Sequence, residues 1–416
     1  GDIASFGAGG NSPVTVTIDQ SGVTAAGITF NTMSTGGSYT IASGGAGDNL
    51  NLNGYTYITM NADATISAPI VGAGALNLNG LHTLTLSGSN TYTGGTIINS
   101  GATLYVSGSI SGAVVDDGTF NLGSELTITD LTGSGTINLG DNNLIINATA
   151  ADTFSGTLTN SAHIFRVASN SLTLTGNISG FSGVYDPIGN GTLTINASGL
   201  LNSIAILESQ DNGILNVAYS NLNGNLAAFL GSAAGQINFT GTNATGTLGA
   251  IDIDDTSGTT TNTIDGGGVA NTLTLGGPIT SKNTTGSNTL ILQNGTFVLT
   301  STSNASTFID NGTLQIGNNA LSGTVQFTAA TNLPGSSIGI NMEGGELQFT
   351  GSGAVTIANA ITDTSSNDII DGGGLGNTLT LSNTITNATG STLTAQNGIF
   401  VLTGTNNTTF SGGSLQ

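Results

Sequence analysis

The chain has 416 residues, of which 23 are acidic and only two, Arg166 and Lys282, are basic, so its formal net charge is -21. This balance excludes nucleic-acid partners, because phosphate groups are neutralised by Lys and Arg side chains. The chain has no Cys, which excludes both a disulfide framework and a thiolate metal site.

The composition also predicts a folded protein that consists of strands and turns. The hydrophobic fraction of 37% and the mean hydropathy of +0.19 are higher than in chains that cannot bury a core. Gly alone accounts for 66 residues, and Gly, Ser, Thr and Asn all have poor helix propensities. No apolar run approaches the ~20 residues of a membrane-spanning helix, so we expect no transmembrane segment in this chain.

Short runs in which apolar and polar residues alternate recur along the chain, each about four to six residues long. Clear examples lie at 74–80, 82–88, 125–130, 135–140 and 191–196. Gly, Asn or Asp residues bound the runs and supply the positive-φ corners that other residues resist. A period of two predicts half-buried strands, with Leu, Ile, Val and Phe inward and Thr, Asn and Ser outward.

A longer unit stands at 84–104, LTLSGSNTYTGGTIINSGATL, and joins a strand, an Asn-bearing turn, the aromatic Tyr92, a Gly turn and a second strand. Echoes of this unit near the end of the chain carry Phe308 and Phe410 at the aromatic position. A unit of roughly 20 to 25 residues cannot bury its own face, so it must stack on its neighbours. We therefore predict an all-β, parallel β-helix (β-solenoid); a β-sandwich or barrel array, which usually needs tight hairpins, is the alternative.

The sequence suggests three segments. Residues 1–196 are predicted to form N-terminal solenoid coils. Residues 197–235 have fewer Thr and contain the Ala/Leu-rich run NLAAFLGSAAG from Asn225, which predicts an irregular insertion or a short helix on the solenoid. Residues 236–416 are predicted to form the C-terminal solenoid.

The C-terminal segment contains a long internal repeat. IDGGGVANTLTLGGPIT from Ile264 returns as IDGGGLGNTLTLSNTIT from Ile370, an offset of 106 residues. The match resumes where LQNGTFVLTSTSNASTF from Leu292 is answered by AQNGIFVLTGTNNTTF from Ala395. Fixed-period similarity of this kind is typical of repeat architectures.

The unit at 84–104 resembles the autotransporter-associated β-strand repeat of bacterial surface proteins, whose pattern reads roughly LTLSGxNTYTGGTxxxxGxL. ISAPIVGAG from Ile66 and ITFNT from Ile28 are similar to segments that precede this repeat in such passengers. The resemblance implies a right-handed parallel β-helix displayed outside a bacterial cell.

Candidate catalytic residues are few. Polysaccharide-cleaving β-helices combine carboxylates with Arg or Lys, and this chain has two cations. Asp252 and Asp254 lie two residues apart, which places both carboxylates on one side of a strand; an acidic turn is the alternative. His163 and Arg166 are an odd number of residues apart and are predicted on opposite faces. We expect no enzymatic activity and no cofactor.

The same acidic run is a candidate calcium site. Asp252, Asp254 and Asp255 supply the carboxylate oxygens that Ca²⁺ prefers. The alternative is that these are scattered solvated carboxylates, since the chain has no tandem array of calcium-binding β-roll repeats.

Three functions stay open. The composition favours a non-enzymatic structural or adhesive extracellular protein, in a matrix or a fibre, and the resemblance implies that it belongs to a bacterial cell surface or biofilm. A carbohydrate-binding or carbohydrate-cleaving β-helix is the second, although Trp is absent. A phage or secreted-toxin shaft is the third.

Two kinds of partner follow from these interpretations. The first is a glycan on a host cell, a neighbouring cell or the extracellular matrix. The second is another copy of the chain, because terminal solenoid coils expose unpaired strand edges that favour head-to-tail contact.

Overall fold

The computed structural model describes the whole chain except residues 1, 8–12, 21, 34–36, 161–162, 225, 232, 254–258, 282–286, 309–311, 404–408, 411–413 and 416, and the side chains of 409–410 and 414–415. Among the described residues there are 48 strands, one α-helical turn and two 3-10 helices.

In chain order, the first 24 strands are β1 Ile3–Phe6, β2 Val14–Ile18, β3 Val23–Thr24, β4 Gly27–Phe30, β5 Tyr39–Ser43, β6 Leu50–Leu52, β7 Tyr55–Met60, β8 Ala64–Ile66, β9 Ile70–Gly72, β10 Ala75–Gly80, β11 Thr83–Leu86, β12 Thr96–Ile98, β13 Thr103–Val106, β14 Val114–Asp116, β15 Thr119–Leu122, β16 Leu126–Ile128, β17 Leu131–Gly133, β18 Thr136–Asn138, β19 Leu144–Phe154, β20 Thr157–Asn160, β21 Ile164–Leu174, β22 Gly180–Phe181, β23 Val184–Pro187 and β24 Thr192–Ile195.

The remaining strands are β25 Ile206–Ser209, β26 Ile214–Ala218, β27 Ala227–Leu230, β28 Gln236–Thr240, β29 Thr245–Leu248, β30 Ile251–Ile253, β31 Thr260–Asp265, β32 Thr272–Leu275, β33 Ile279–Ser281, β34 Asn288–Gln293, β35 Gly295–Leu299, β36 Thr313–Ile316, β37 Gly323–Phe327, β38 Gly339–Met342, β39 Glu346–Phe349, β40 Ala354–Ile357, β41 Ile361–Asp363, β42 Asp368–Asp371, β43 Thr378–Leu381, β44 Ile385–Asn387, β45 Thr392–Gln396, β46 Ile399–Leu402, β47 Thr409–Phe410 and β48 Ser414–Leu415. The helices are α1 Asn304–Thr307 and the 3-10 helices Tyr219–Asn221 and Ala330–Asn332.

The fold is a β-solenoid in which each strand pairs in parallel with the equivalent strand of the next coil. The described residues make about 17 turns of about 22 residues each, which confirms the predicted architecture and coil length. The alternating runs explain it: in β11 the inward residues Leu84 and Leu86 are fully buried, while Thr83 and Thr85 face outward. Each fully buried aliphatic side chain stabilises the folded state by about 1.5–3 kcal/mol relative to the same side chain left exposed. No helix among the described residues is long and apolar enough to cross a membrane.

The chain divides into two compact units. The first contains residues 1–185 and 191–202, and the second contains residues 186–190 and 203–416. In the first unit, β1, β4, β7, β10, β12, β14 and β17 follow one another on one face, and β2, β5, β8, β11, β13, β15, β18, β20 and β22 form a second face.

The second unit has three faces. Face 1 is the row β26, β28, β31, β34, β36, β38, β41 and β44. Face 2 is the row β29, β32, β35, β37, β39, β42 and β45. Face 3 begins with β25, β27, β30 and β33, continues through α1 and the 3-10 helix Ala330–Asn332, and ends with β40, β43 and β46. The segment 197–235 thus contributes β25, β26 and β27, together with the 3-10 helix Tyr219–Asn221.

The two copies of the long repeat lie on different faces of the second unit. The first copy runs from β31 on face 1 to β32 on face 2. The second runs from β42 on face 2 to β43 on face 3. The offset of 106 residues is therefore not a whole number of coils, and one sequence builds two different corners.

Both copies build their corner with the same hydrogen bonds. Asp265 accepts from the backbone N–H of Gly267 at 2.7 Å, and Asp371 accepts from that of Gly373 at 2.6 Å. Both glycines have positive φ, 73° and 71°, and an added Cβ would collide with a carbonyl oxygen of the preceding coil. The corner therefore requires glycine at this position.

An amide from the next coil completes each corner. Gln293 Nε2 donates to Asp265 Oδ2, and Gln396 Nε2 donates to Asp371 Oδ2, both at 2.9 Å. The two carboxyl groups thus link successive coils through hydrogen bonds.

Candidate ligand-binding surfaces

The predicted acidic run is only partly within the described residues. Asp252 lies in the middle of β30 and accepts a hydrogen bond from Thr280 Oγ1 of the next coil at 2.9 Å. Asp254 and Asp255 lie outside the described residues. In the part of the chain that the structure describes, no three His, Asp or Glu side chains are grouped to hold a metal ion. Calcium binding at this run stays a prediction.

His82 directly precedes β11, and His163 directly precedes β21, which contains Arg166. His82 Nδ1 is 3.3 Å from Asp63 Oδ1 at an exposed position. The Asp63 Oδ1 atom also accepts from the backbone N–H of Thr83 at 2.9 Å. Arg166 lies in β21, in register with Ile145 of β19. These contacts link neighbouring coils.

The structure also shows a buried acid that the sequence analysis did not identify. Asp116 ends β14 and is fully buried. Its Oδ1 accepts from the backbone N–H of Gly118 at 3.1 Å, while no donor among the described residues reaches Oδ2. Burial, and to a lesser degree the nearby Asp117, raises the pKa of Asp116 to about 7. Asp116 lies two residues after the inward-facing Val114 in the same strand. Because side chains alternate along a strand, this spacing is the sequence signal that predicts its burial.

Two further acids, Asp363 and Asp368, are fully buried together in the second unit. The carboxyl group of Asp363 interacts electrostatically with that of Asp368. Each Oδ1 accepts from backbone N–H groups, while no donor from the described residues reaches either Oδ2. Burial and the contact with Asp363 raise the pKa of Asp368.

None of these buried acids is positioned to contact a substrate, because all three side chains are removed from solvent. A general acid or base must come within hydrogen-bonding reach of the reacting group. The raised pKa values of Asp116 and Asp368 therefore result from burial in the solenoid interior and not from the arrangement of a catalytic site.

The second unit carries a polar surface groove of about 410 Å³ beside the Asp363–Asp368 pair. Hydroxyl, amide and backbone groups line it, together with one carboxylate, Glu346. Burial, then repulsion from Asp371, raises the pKa of Glu346. Such a lining can hydrogen-bond a polar ligand, and Ile369 is the one large apolar side chain among the lining residues.

The first unit carries a smaller cleft of about 200 Å³ next to two exposed aromatic side chains. Tyr55 and Tyr57 of β7 are 64% and 53% exposed. The cleft is lined by Gly54, Tyr55, Ala73, Gly74, Ala75 and Gly94. The Tyr55 side chain and the small residues that line the cleft with it form an amphipathic surface of the kind that binding sites use.

Comparison with known proteins gives one partial similarity. Over 144 residues, 33% of this chain, the sequence is 31% identical to the adhesin BmaC autotransporter of Brucella suis biovar 1 (strain 1330). The matched region covers 4% of the length of that protein. No family model matches the chain, and no solved structure matches it at a significant level. The chain is therefore similar over a third of its length to an autotransporter adhesin.

Proposed function

We propose that this chain is part of a non-enzymatic adhesive protein that is displayed on a bacterial cell surface, with autotransporter-associated β-strand repeats building its solenoid. The observation that carries the proposal is the 31% identity to an autotransporter adhesin over 144 residues, in a chain that folds as a parallel β-solenoid. The resemblance of residues 84–104 to the autotransporter-associated repeat points the same way.

The arrangement of acidic groups supports a non-enzymatic function. Asp116, Asp363 and Asp368 have no access to a ligand, and Asp252 is hydrogen-bonded to the next coil. A glycosidase needs two carboxyl groups that face one glycosidic bond with room for the sugar between them. The partly exposed Asp130 and Asp152 lie next to each other instead, and they accept hydrogen bonds from the backbone N–H groups of Thr149 and Leu131. A role within a fibre or a biofilm matrix is part of the same proposal.

Carbohydrate binding is the second candidate function, and the exposed Tyr55 and Tyr57 favour it. It is compatible with adhesion, because cell surfaces and matrices present glycans. Carbohydrate cleavage has no comparable support among the described residues.

An adhesion assay tests the main proposal. Beads coated with the purified chain are expected to bind epithelial cells and bacterial cells above beads coated with the heat-unfolded chain. In parallel, we expect no new reducing ends when the chain is incubated with pectin, chitin or peptidoglycan. Equal binding by folded and unfolded chains, or saturable release of sugar, would contradict the proposal.

A further inference from the structure

Two tyrosines of the first unit stand side by side on the outside of the solenoid. Tyr55 and Tyr57 are separated by one residue of β7, so both side chains project from the same surface, about 7 Å apart along the strand. The intervening Thr56 is buried. Among the described residues, neither ring forms an aromatic pair and neither hydroxyl has a hydrogen-bond partner. Contacts with the described residues therefore do not explain why two tyrosines stand next to each other on this surface.

The surroundings of the two rings leave their faces open. Tyr57 is in register with Gly27 of the preceding coil, which has no side chain, and Ile3 follows beyond it at 68% exposure. On the other side, Tyr55 is in register with the small Ala75, at the edge of the 200 Å³ cleft. A flat ligand can therefore lie against either ring without displacing a neighbouring side chain.

An amide donor lies next to the rings. Asn77 of β10 is in register with Tyr57. Its Oδ1 accepts hydrogen bonds from Asn79 Nδ2 at 3.1 Å and from Asn99 Nδ2 at 2.7 Å, which fixes the orientation of the amide. Its Nδ2 has no acceptor among the described residues, and the side chain is partly exposed. A ligand hydroxyl or carbonyl oxygen would satisfy this donor.

The chemistry of this surface restricts what it binds. β7 is paired on both sides, with β4 and β10, so its backbone groups are engaged and a peptide cannot add to it as a strand. The strands β4, β7, β10 and β12 contain no charged residue, while the chain as a whole carries a charge of -21. An anionic polymer is repelled by that charge, and this surface offers a cation no carboxylate. Sugar rings present C–H faces to aromatic rings and hydroxyl groups to amides.

We propose that Tyr55, Tyr57 and Asn77 form a binding site for a neutral polysaccharide chain, with sugar rings stacked on the tyrosines and a hydroxyl group bound by the Asn77 amide. This inference rests on the proposed adhesive function and names the ligand class of one adhesive surface.

Calorimetric titration of the full chain with cellohexaose, maltohexaose and chitohexaose tests the site, with oligogalacturonate as the anionic comparison. At least one neutral oligosaccharide is expected to bind. The double variant Tyr55→Ala, Tyr57→Ala is expected to weaken that binding by about tenfold or more, since it removes both rings on which the sugar stacks. Tyr55→Phe, Tyr57→Phe keeps both rings and is expected to bind within about twofold of the wild type.

Tyr105→Ala is the matched control, because Tyr105 is an exposed tyrosine of the same unit, 38% exposed, on a different face. We expect wild-type affinity from it, and equal melting temperatures for all the variants. The inference is overturned if no neutral oligosaccharide binds, if the double alanine variant binds normally, if Tyr105→Ala weakens binding equally, or if oligogalacturonate binds better.

The adhesion assay separates this inference from the proposed function. If the double alanine variant adheres to cells as well as the wild type, the carbohydrate site is wrong and adhesion stands. If the wild type binds an oligosaccharide through these tyrosines but does not adhere to any cell, the site stands and the adhesive function is wrong.

Discussion

At the scale of single residues, the unusual feature is that carboxyl groups sit inside a chain that has almost no cations to pair with them. Asp116 is fully buried beside a single backbone donor, with an Oδ2 atom that no described donor reaches. An ionised carboxylate in such a place is costly, and the group responds by holding its proton. Burial and the neighbouring Asp363 raise the pKa of Asp368 in the same way.

The raised pKa of Asp116 predicts a specific dependence of stability on pH. The carboxyl has a pKa of 3.8 when solvated and about 7 when folded. Between these values the folded protein keeps a proton that the unfolded chain has lost, so the free energy of unfolding falls as pH rises from about 4 to about 7. Above that range this contribution is constant, and its upper bound is about 4 kcal/mol.

Asp116→Asn removes this titration while keeping the side-chain shape. From pH 5 to pH 8, the variant is expected to gain stability relative to the wild type, as measured by urea unfolding at each pH. Asp141→Asn, on an exposed turn of the same unit, serves as the control and should follow the wild-type curve. Parallel curves for Asp116→Asn and the wild type would show that the buried carboxyl is not protonated at low pH.

At the scale of elements, the corners between strands stabilise the solenoid as well as the strands do. In the first copy of the long repeat, Asn271 Nδ2 donates to Gly266 O at 3.0 Å and to Gly241 O at 3.1 Å, while Oδ1 accepts from Ala244 N–H at 2.8 Å. Asn377 makes the equivalent bonds on the next face. One buried amide thus ties a corner to itself and to the preceding coil.

Asn271→Ala and Asn377→Ala are expected to destabilise the protein by similar amounts, about 3 kcal/mol each, because each leaves several buried backbone groups without a partner. The measurement is denaturant unfolding of each variant. Asn367→Ala, at an exposed position of the same unit, should cost less than about 0.5 kcal/mol. If one corner variant is destabilised and the other is not, the corners are not equivalent despite their shared sequence.

The sequence predicts which residues form strands better than it predicts on which face of the solenoid each strand lies. Alternation in HTLTLSG identifies which residues of β11 are inward, because a period of two follows from strand geometry alone. The different faces of the two repeats depend on the summed lengths of all the coils between them, and no local pattern encodes that sum. The aromatic position that the repeated unit shares has the same environment in two copies, since Tyr92 and Phe308 are both fully buried. The side chain of Phe410, the third, lies outside the described residues.

The candidate sites were less predictable for a physical reason. Sequence patterns assign acids to the surface, because an unpaired buried charge is costly, and this rule fails wherever the acid is kept neutral. The sequence also offered no clear sign that Tyr55 and Tyr57 are exposed, because an aromatic residue in an alternating strand is usually assigned to the core. Only their odd spacing from the buried Ile58 and Met60 shows that the two tyrosines face outward. The polar residues around the two tyrosines became informative only when register placed Asn77 beside them.

At the scale of the whole molecule, the net charge of -21 is the dominant electrostatic fact. With two cations in the sequence, few carboxylates can be paired with a positive charge, so the remaining ones repel each other in the compact state more than in the expanded unfolded chain. Amide and hydroxyl hydrogen bonds, such as those from Gln293 and Gln396, offset this only locally.

This repulsion predicts that salt stabilises the protein. Raising NaCl from about 20 mM to about 500 mM shortens the screening length from roughly 20 Å to about 4 Å, so the melting temperature at pH 8 is expected to rise by several degrees. The same titration at about pH 3.5 is the control, because most carboxylates are then protonated and the salt effect should shrink. A melting temperature at pH 8 that is independent of salt, or an equal rise at both pH values, would mean that carboxylate repulsion does not limit stability. The buried Asp116 and Asp368, whose pKa values are raised, would then account for the pH dependence by themselves, since a neutral carboxyl group responds to pH but not to screening.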